Sequence, residues 1–125
     1  MVKSIMLVGF GGFIGTVARF VISRYFQLSY SSVFPWATLL VNVAGCLLIG
    51  IIYGLSDRGN LLTPEVRLFL TVGICGGFTT FSTFSDDAFL LLRQQEFIRF
   101  AFYTSGSFFL GLLAIYVGRI ISKLL

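Results

Sequence analysis

The residues best suited to chemistry lie together in residues 73–87, GICGGFTTFSTFSDD. Gly76 and Gly77 are poor helix formers, and four hydroxyl side chains follow them, those of Thr79, Thr80, Ser82 and Thr83. Phe81 and Phe84 have i, i+3 spacing, so both rings lie on one face of a helix. An aromatic ring has a negative face and a positive edge. Two ring edges turned inward can therefore meet a small anion, and core packing is the other interpretation of the pair.

The other polar residues favour an anion site over proton transfer or catalysis. Histidine is absent, and Cys46 and Cys75 are isolated in apolar segments, which argues against a metal or redox pair. The acids lie in loops or near segment ends, at Asp57, Glu65, Asp86, Asp87 and Glu96, whereas proton-coupled carriers place a carboxylate deep in the membrane. Hydroxyls, one amide, an arginine and ring edges remain, and these are mainly donors. A break in a helix also frees carbonyls that can hold a cation and exposes a helix N-terminus that favours anions.

The elements that position these residues are predicted to be membrane helices. The chain is 57% hydrophobic and 11% charged, against roughly 25% charged residues in soluble domains. Apolar segments of about 20 residues, the length that spans a bilayer, lie near residues 4–26, 35–56, 66–91 and 97–122. We predict an all-α integral membrane protein with one four-span domain over residues 1–125. The third span is expected to break at the polar stretch, because irregular backbone at membrane depth must be buried in protein or line a wet cavity.

The first span carries a close-packing signal that ends in a charge. Gly11 and Gly15 have the GxxxG spacing that lets helix backbones approach. Arg19 continues that face, and an arginine at this depth must face protein or water. It either lines a wet vestibule or snorkels to the membrane interface. The apolar run after Lys3 also resembles a signal peptide, but its glycines make a poor hydrophobic region.

Polar residues also mark one face of the second and fourth spans. Asn42 in span 2 requires a partner in hydrocarbon, so it either bonds a neighbouring helix or lines a polar path. In span 4, Tyr103, Ser107 and Gly111 follow one another at i+4 steps. This stripe is either a packing seam or a continuation of the polar path from span 3.

The third span has a clear start signal in the 57–66 loop. Thr63 is a predicted N-cap, Pro64 suits the first helical position, and Glu65 suits the helix dipole.

Basic residues give almost no orientation signal. With four spans, one side of the membrane collects five, Lys3, Arg58, Arg67, Arg119 and Lys123, and the other collects four, Arg19, Arg24, Arg93 and Arg99. Because loop Lys and Arg set orientation, this balance fits either one orientation that counting does not detect or insertion both ways up. Insertion both ways would permit an antiparallel homodimer that mimics inverted repeats.

Three stretches closely resemble the CrcB/Fluc family of fluoride channels: GGFTTFSTF at 76–84, PWATLLVNVAG at 35–45, and the glycine-rich start that ends in Arg19. The resemblance covers all four spans. It implies an antiparallel, dual-topology homodimer in the bacterial cytoplasmic (inner) membrane. It also implies two pores per dimer and passive fluoride export that lowers cytoplasmic fluoride, so the protein would not be an enzyme.

The same resemblance assigns roles to individual residues. Phe81 and Phe84 would meet fluoride with their ring edges, Asn42 would donate to the ion, and Arg19 would mark the vestibule. The polar lining would include Ser82, Thr83, Tyr103 and Ser107. The main-chain oxygens of Gly76 and Thr79 would bind a structural sodium ion at the dimer interface. The family often carries glutamate where this chain has Asp87, whose shorter reach leaves the role of that side chain open.

Three alternatives have specific requirements in the sequence. A small dual-topology multidrug exporter would carry a glutamate in span 1, and this span has none. A quinone- or thiol-linked membrane oxidoreductase would need paired cysteines in loops. A structural subunit of a larger complex would leave the pattern of hydroxyls and phenylalanines without a purpose.

Overall fold

The computed structural model describes residues 1–59 and 61–125, and these are α-helical apart from one π-helical stretch and short connections. The elements are α1 (Val2–Ser29), α2 (Trp36–Ser56), α3 (Pro64–Leu68), a π-helical stretch (Phe69–Cys75), α4 (Gly76–Phe78), α5 (Phe81–Arg93) and α6 (Phe97–Leu124). Four segments are long and apolar enough to cross a membrane, with α3 through α5 forming the third, Pro64–Arg93. The four predicted spans are confirmed, and each lies within three residues of its predicted ends. The protein is a multi-pass membrane protein.

The third segment begins as the sequence predicts. Thr63 caps α3, since its side chain accepts a hydrogen bond from the Val66 amide at 3.2 Å. Pro64 occupies the first turn and Glu65 lies beside it. Asn60, in the predicted 57–66 loop, lies outside the described residues. The π-helical stretch Phe69–Cys75 was not predicted, because its wider turn leaves no mark in residue spacing.

Helix α1 packs against the third segment through glycines. A side-chain carbon at Gly11 would lie 2.7 Å from the Phe69 carbonyl oxygen, and one at Gly15 would overlap the Ile74 carbonyl oxygen. Both glycines are buried. The predicted GxxxG packing step is therefore confirmed, and its partner is the helix that carries the polar stretch.

Helices α2 and α6 pack by the same principle. A side-chain carbon at Gly118 would lie 2.5 Å from the Leu47 carbonyl oxygen, and one at Gly50 would overlap the Ile115 backbone. Gly111, Ala114 and Gly118 on α6 are all buried. This part of the span 4 stripe is a packing seam, one of the two interpretations that the sequence allows.

Candidate functional site

The third membrane segment is interrupted at Thr79 and Thr80. Thr79 has φ −83° and ψ 156°, and Thr80 has φ −150° and ψ 119°, so both are extended. Helix α5 then begins at Phe81, with the Thr80 side chain as its N-cap. The predicted break is confirmed, although Gly76 and Gly77 remain helical and the interruption follows them.

Asn42 on α2 bonds to both main-chain groups of Thr80. The Asn42 side-chain nitrogen Nδ2 donates to the Thr80 carbonyl oxygen at 3.1 Å, and the Thr80 amide donates to Asn42 Oδ1 at 2.8 Å. Free backbone groups at this depth are costly without a partner, so the amide side chain stabilises the interruption. Of the two interpretations of Asn42, the bond to a neighbouring helix is present.

Arg19 on α1 contacts the end of the helix that precedes the break. Its Nε donates to the Gly77 carbonyl oxygen at 3.1 Å, and the side chain is half-buried. A cation at the C-terminal end of a helix is favourable because the last carbonyls and the helix dipole are negative there. The vestibule role stays a prediction.

The two phenylalanines after the break lie side by side. The ring centroids of Phe81 and Phe84 are 5.8 Å apart, with 41° between the ring planes. Phe84 also contacts the Tyr103 ring, at a centroid distance of 5.1 Å. The exposed fraction of Phe81 is 79%, so its ring is not packed in the core of this chain.

A cavity of about 350 Å³ lies between the break, α2 and α6. It brings together four of the predicted site residues, Asn42, Phe81, Phe84 and Ser107, with the sodium-site candidate Thr79. The other lining residues are Cys46, Ile49, Thr80, Thr104 and Phe108. Across the parts of the chain that the structure describes, this lining contains no charged side chain. The polar side chains of this lining are hydroxyls, one amide and one thiol, and the others are aromatic rings and the aliphatic Ile49.

Ser107 has the most unusual environment in this lining. Its hydroxyl oxygen is buried and has no hydrogen-bond partner within residues 1–59 and 61–125. An unpartnered buried hydroxyl is costly. This cost is explained if the Ser107 hydroxyl binds a ligand in the cavity rather than another group of the protein. Ser107 therefore fits the polar-path interpretation of the span 4 stripe. Gly111 and Gly118, further along α6, fit the packing seam.

Tyr103 packs against Phe84, which lines the cavity, and bonds to the acidic side chain of Asp87. It is fully buried, and its hydroxyl donates to Asp87 Oδ2 at 3.3 Å. The Phe34 ring packs edge-on against it at 5.5 Å. Asp87 also borders a second cavity of about 520 Å³, together with Thr38 and the 30–32 connection. A row of polar and aromatic groups thus runs from the break to the protein surface.

Ser82 and Thr83 lie apart from this row. Both are exposed on the first turn of α5. The Thr80 hydroxyl donates to the Thr83 hydroxyl at 3.1 Å, and the Thr80 and Ser82 hydroxyl oxygens are 3.4 Å apart. Their predicted place in the lining therefore depends on what covers this face.

Sequence reasoning assigned no individual role to two residues of the site. The Thr104 side chain lines the cavity, and the Thr80 side chain caps α5. A signal for Thr80 was present, since a threonine three residues before Thr83 at a helix start is a typical N-cap. For Thr104 no local pattern distinguishes a lining hydroxyl from one that bonds its own helix.

Comparison with known proteins gives a consistent result. The family model described as CrcB-like protein, Camphor Resistance (CrcB), matches residues 6–119. The protein named fluoride-specific ion channel FluC from Flavobacterium psychrophilum is 40% identical, over 97% of this chain and 98% of that protein. The protein of the same name from Chlorobium luteolum is 45% identical, over 96% and 92%. The one from Chlorobaculum tepidum is 43% identical, over 99% and 98%.

Proposed function

This chain belongs to the CrcB family, and from that membership we propose that it is a fluoride-selective ion channel. It conducts fluoride passively out of a bacterial cell across the cytoplasmic membrane, which lowers the cytoplasmic fluoride concentration. The protein is a channel and not an enzyme. The observation that carries the proposal is the cavity at the helix break, whose lining, within the described residues, combines hydroxyls, an amide and aromatic rings without a charged side chain.

The lining suits a small, strongly hydrated anion. An ion that leaves water must exchange its hydration shell for protein groups. Asn42 and Ser107 line the cavity with amide and hydroxyl groups that can donate, and Phe81 and Phe84 line it with aromatic rings, whose edges we propose meet the ion. Within the described residues, the Asn42 amide nitrogen donates only to the Thr80 carbonyl, so its second N–H is available. Tyr103 then leads towards Asp87 and the surface cavity.

The functional unit we propose is an antiparallel homodimer with two pores. In a single chain, the exposed hydroxyls of Ser82 and Thr83 and the exposed ring of Phe81 would face lipid in the third span. Polar groups in hydrocarbon are costly unless protein or water covers them. A second copy, inverted in the membrane, covers this face and completes the lining, and the balance of five basic residues against four supports insertion both ways up.

A sodium ion at the dimer interface is part of the proposal. Its ligands are the main-chain oxygens of Gly76 and Thr79, and its role is structural. In the described part of the chain, no backbone or side-chain donor contacts either oxygen. Two unpartnered carbonyls fit a hard monovalent cation, which prefers oxygen ligands.

The decisive experiment is ion efflux from liposomes that contain only this protein. Fluoride efflux should exceed chloride efflux strongly, and protein-free liposomes should retain both ions. Equal flux of the two anions, or no fluoride flux, would contradict the channel assignment. For the dimer, a reporter at the C-terminus should appear on both sides of the membrane, whereas a single location would exclude dual topology.

A further inference from the structure

The hydrogen bonds around the break follow a pattern that a simple loss of helix does not explain. An uninterrupted α-helix would join the Thr80 amide to the Gly76 carbonyl and the Thr83 amide to the Thr79 carbonyl, since each N–H bonds the carbonyl four residues earlier. Both amides donate elsewhere. The Thr80 amide donates to Asn42 Oδ1 at 2.8 Å, and the Thr83 amide donates to the Thr80 hydroxyl oxygen at 3.2 Å.

The two carbonyls left without these donors are those of Gly76 and Thr79. Three nearby carbonyls, those of Cys75, Gly77 and Thr80, accept from other donors. Cys75 accepts from the Thr79 amide and hydroxyl, both at 3.0 Å, and Gly77 accepts from Arg19. The Thr80 carbonyl accepts from Asn42. Side chains thus hold both of the amides whose helical acceptors would be the Gly76 and Thr79 carbonyls.

We propose that Asn42 and the Thr80 hydroxyl are positioning residues that keep the cation site open by holding the two amides that would otherwise close onto it. The inference rests on the sodium site of the proposed function. It gives Asn42 a second role besides donation to an anion. It also gives a role to the Thr80 side chain, which is not itself a ligand because the proposed ligands are main-chain carbonyls.

The local energetics support a competition of this kind. When Asn42 loses its acceptor oxygen, the Thr80 amide is left unsatisfied at membrane depth, and the acceptor that a continuous helix would give it is the Gly76 carbonyl. When Thr80 loses its hydroxyl, the Thr83 amide has the Thr79 carbonyl as its alternative. Each new helical bond would occupy one cation ligand, because a buried N–H seeks a partner.

The test compares two matched pairs of variants by sodium-dependent thermal stability of the purified full-length protein. Thr80→Val removes the acceptor with little change in shape, and Thr80→Ser keeps it. Asn42→Leu removes both amide functions, and Asn42→Asp keeps an acceptor for the Thr80 amide. We expect the sodium concentration at half-maximal stabilisation to rise about tenfold in Thr80→Val and Asn42→Leu and to change by less than about twofold in Thr80→Ser and Asn42→Asp.

Two controls separate this inference from the channel assignment. Within the described residues, the Thr104 hydroxyl, which lines the same cavity, bonds only its own helix. Thr104→Val removes this hydroxyl and should leave the sodium midpoint unchanged. Fluoride efflux from liposomes, measured in parallel, reports the channel assignment on its own. Should Asn42→Leu fail to fold, the Thr80 pair decides the question.

Equal sodium midpoints in Thr80→Val and Thr80→Ser would overturn the inference. A wild-type protein whose stability ignores sodium would overturn it as well, together with the sodium site, while fluoride conduction could still stand. If Asn42 acted only as an anion donor, Asn42→Asp and Asn42→Leu would both lose fluoride flux with the sodium midpoint of the wild type, and this result also contradicts the proposal.

Discussion

The Tyr103 hydroxyl donates a hydrogen bond to the Asp87 carboxylate at 3.3 Å, across the interface of α5 and α6. Tyr103 is completely buried, whereas Asp87 is half-buried and borders the surface cavity. The pair therefore lies where the row of polar groups from the break meets the aqueous side. A phenylalanine at position 103 would leave the carboxylate without this donor.

Removal of the Tyr103 hydroxyl should lower the stability of the protein, and the size of this loss should depend on Asp87. We expect Tyr103→Phe to lower the free energy of unfolding by about 1.5–3 kcal/mol, the typical contribution of a hydrogen bond to a charged group, with the lower end favoured by the partial exposure of Asp87. A double-mutant cycle with Asp87→Ala, which removes the acceptor, tests the coupling when it is measured by denaturation in detergent. Strictly additive effects of the two changes would show that the contact contributes nothing.

The two phenylalanine rings after the break should matter for conduction more than rings elsewhere. We expect Phe81→Ala and Phe84→Ala each to reduce fluoride efflux by about tenfold or more, which corresponds to about 1.4 kcal/mol in the barrier. Phe13→Ala is the matched control, since Phe13 is 66% exposed on α1 and does not line the cavity. Similar efflux from all three variants would mean that the central rings only pack.

The sequence predicted the spans, the glycine packing and the break because each has a local signal. Apolar length defines a span, GxxxG spacing defines a packing face, and clustered hydroxyls in a hydrophobic segment indicate irregular backbone. One of the two glycines beside the break, Gly77, has a second purpose, however. A side-chain carbon at Gly77 would lie 2.6 Å from the Gly12 carbonyl oxygen, so this glycine permits close helix packing.

The hydrogen bonds of the site could not be predicted in the same way. Asn42 is 38 residues from Thr80 and Arg19 is 58 residues from Gly77. Which carbonyl each side chain reaches depends on how the helices are rotated against one another. That rotation follows from the packing of many side chains, and the π-helical stretch Phe69–Cys75 changes it further.

The unpartnered hydroxyl of Ser107 should separate stability from conduction. Ser107→Ala removes a buried polar group that has no partner in the described chain, so stability should stay unchanged or rise. Fluoride efflux should fall, because the cavity loses a donor. Ser56→Ala is the control, since the Ser56 hydroxyl is also buried without a partner among residues 1–59 and 61–125 but lies near the end of α2, away from the cavity. Equal efflux from the two variants would remove Ser107 from the path.

The glycines of α1 should differ sharply in their tolerance of a methyl group. A methyl at Gly15 overlaps the Ile74 carbonyl oxygen, whereas one at Gly12 lies 4.0 Å from its nearest neighbour, the Gly73 carbonyl oxygen. Gly15→Ala should therefore destabilise the protein by about 1–3 kcal/mol, the cost of overpacking a tight interface. Gly12→Ala should be neutral or stabilising, since alanine favours the helix by about 1 kcal/mol over glycine. Thermal unfolding of both variants in the same detergent measures the difference.

Because the Gly15 interface also supports the segment that carries Gly76 and Thr79, Gly15→Ala should in addition weaken sodium-dependent stabilisation. If both variants unfold at the same temperature, close packing of α1 against the third segment is not what holds the break in place.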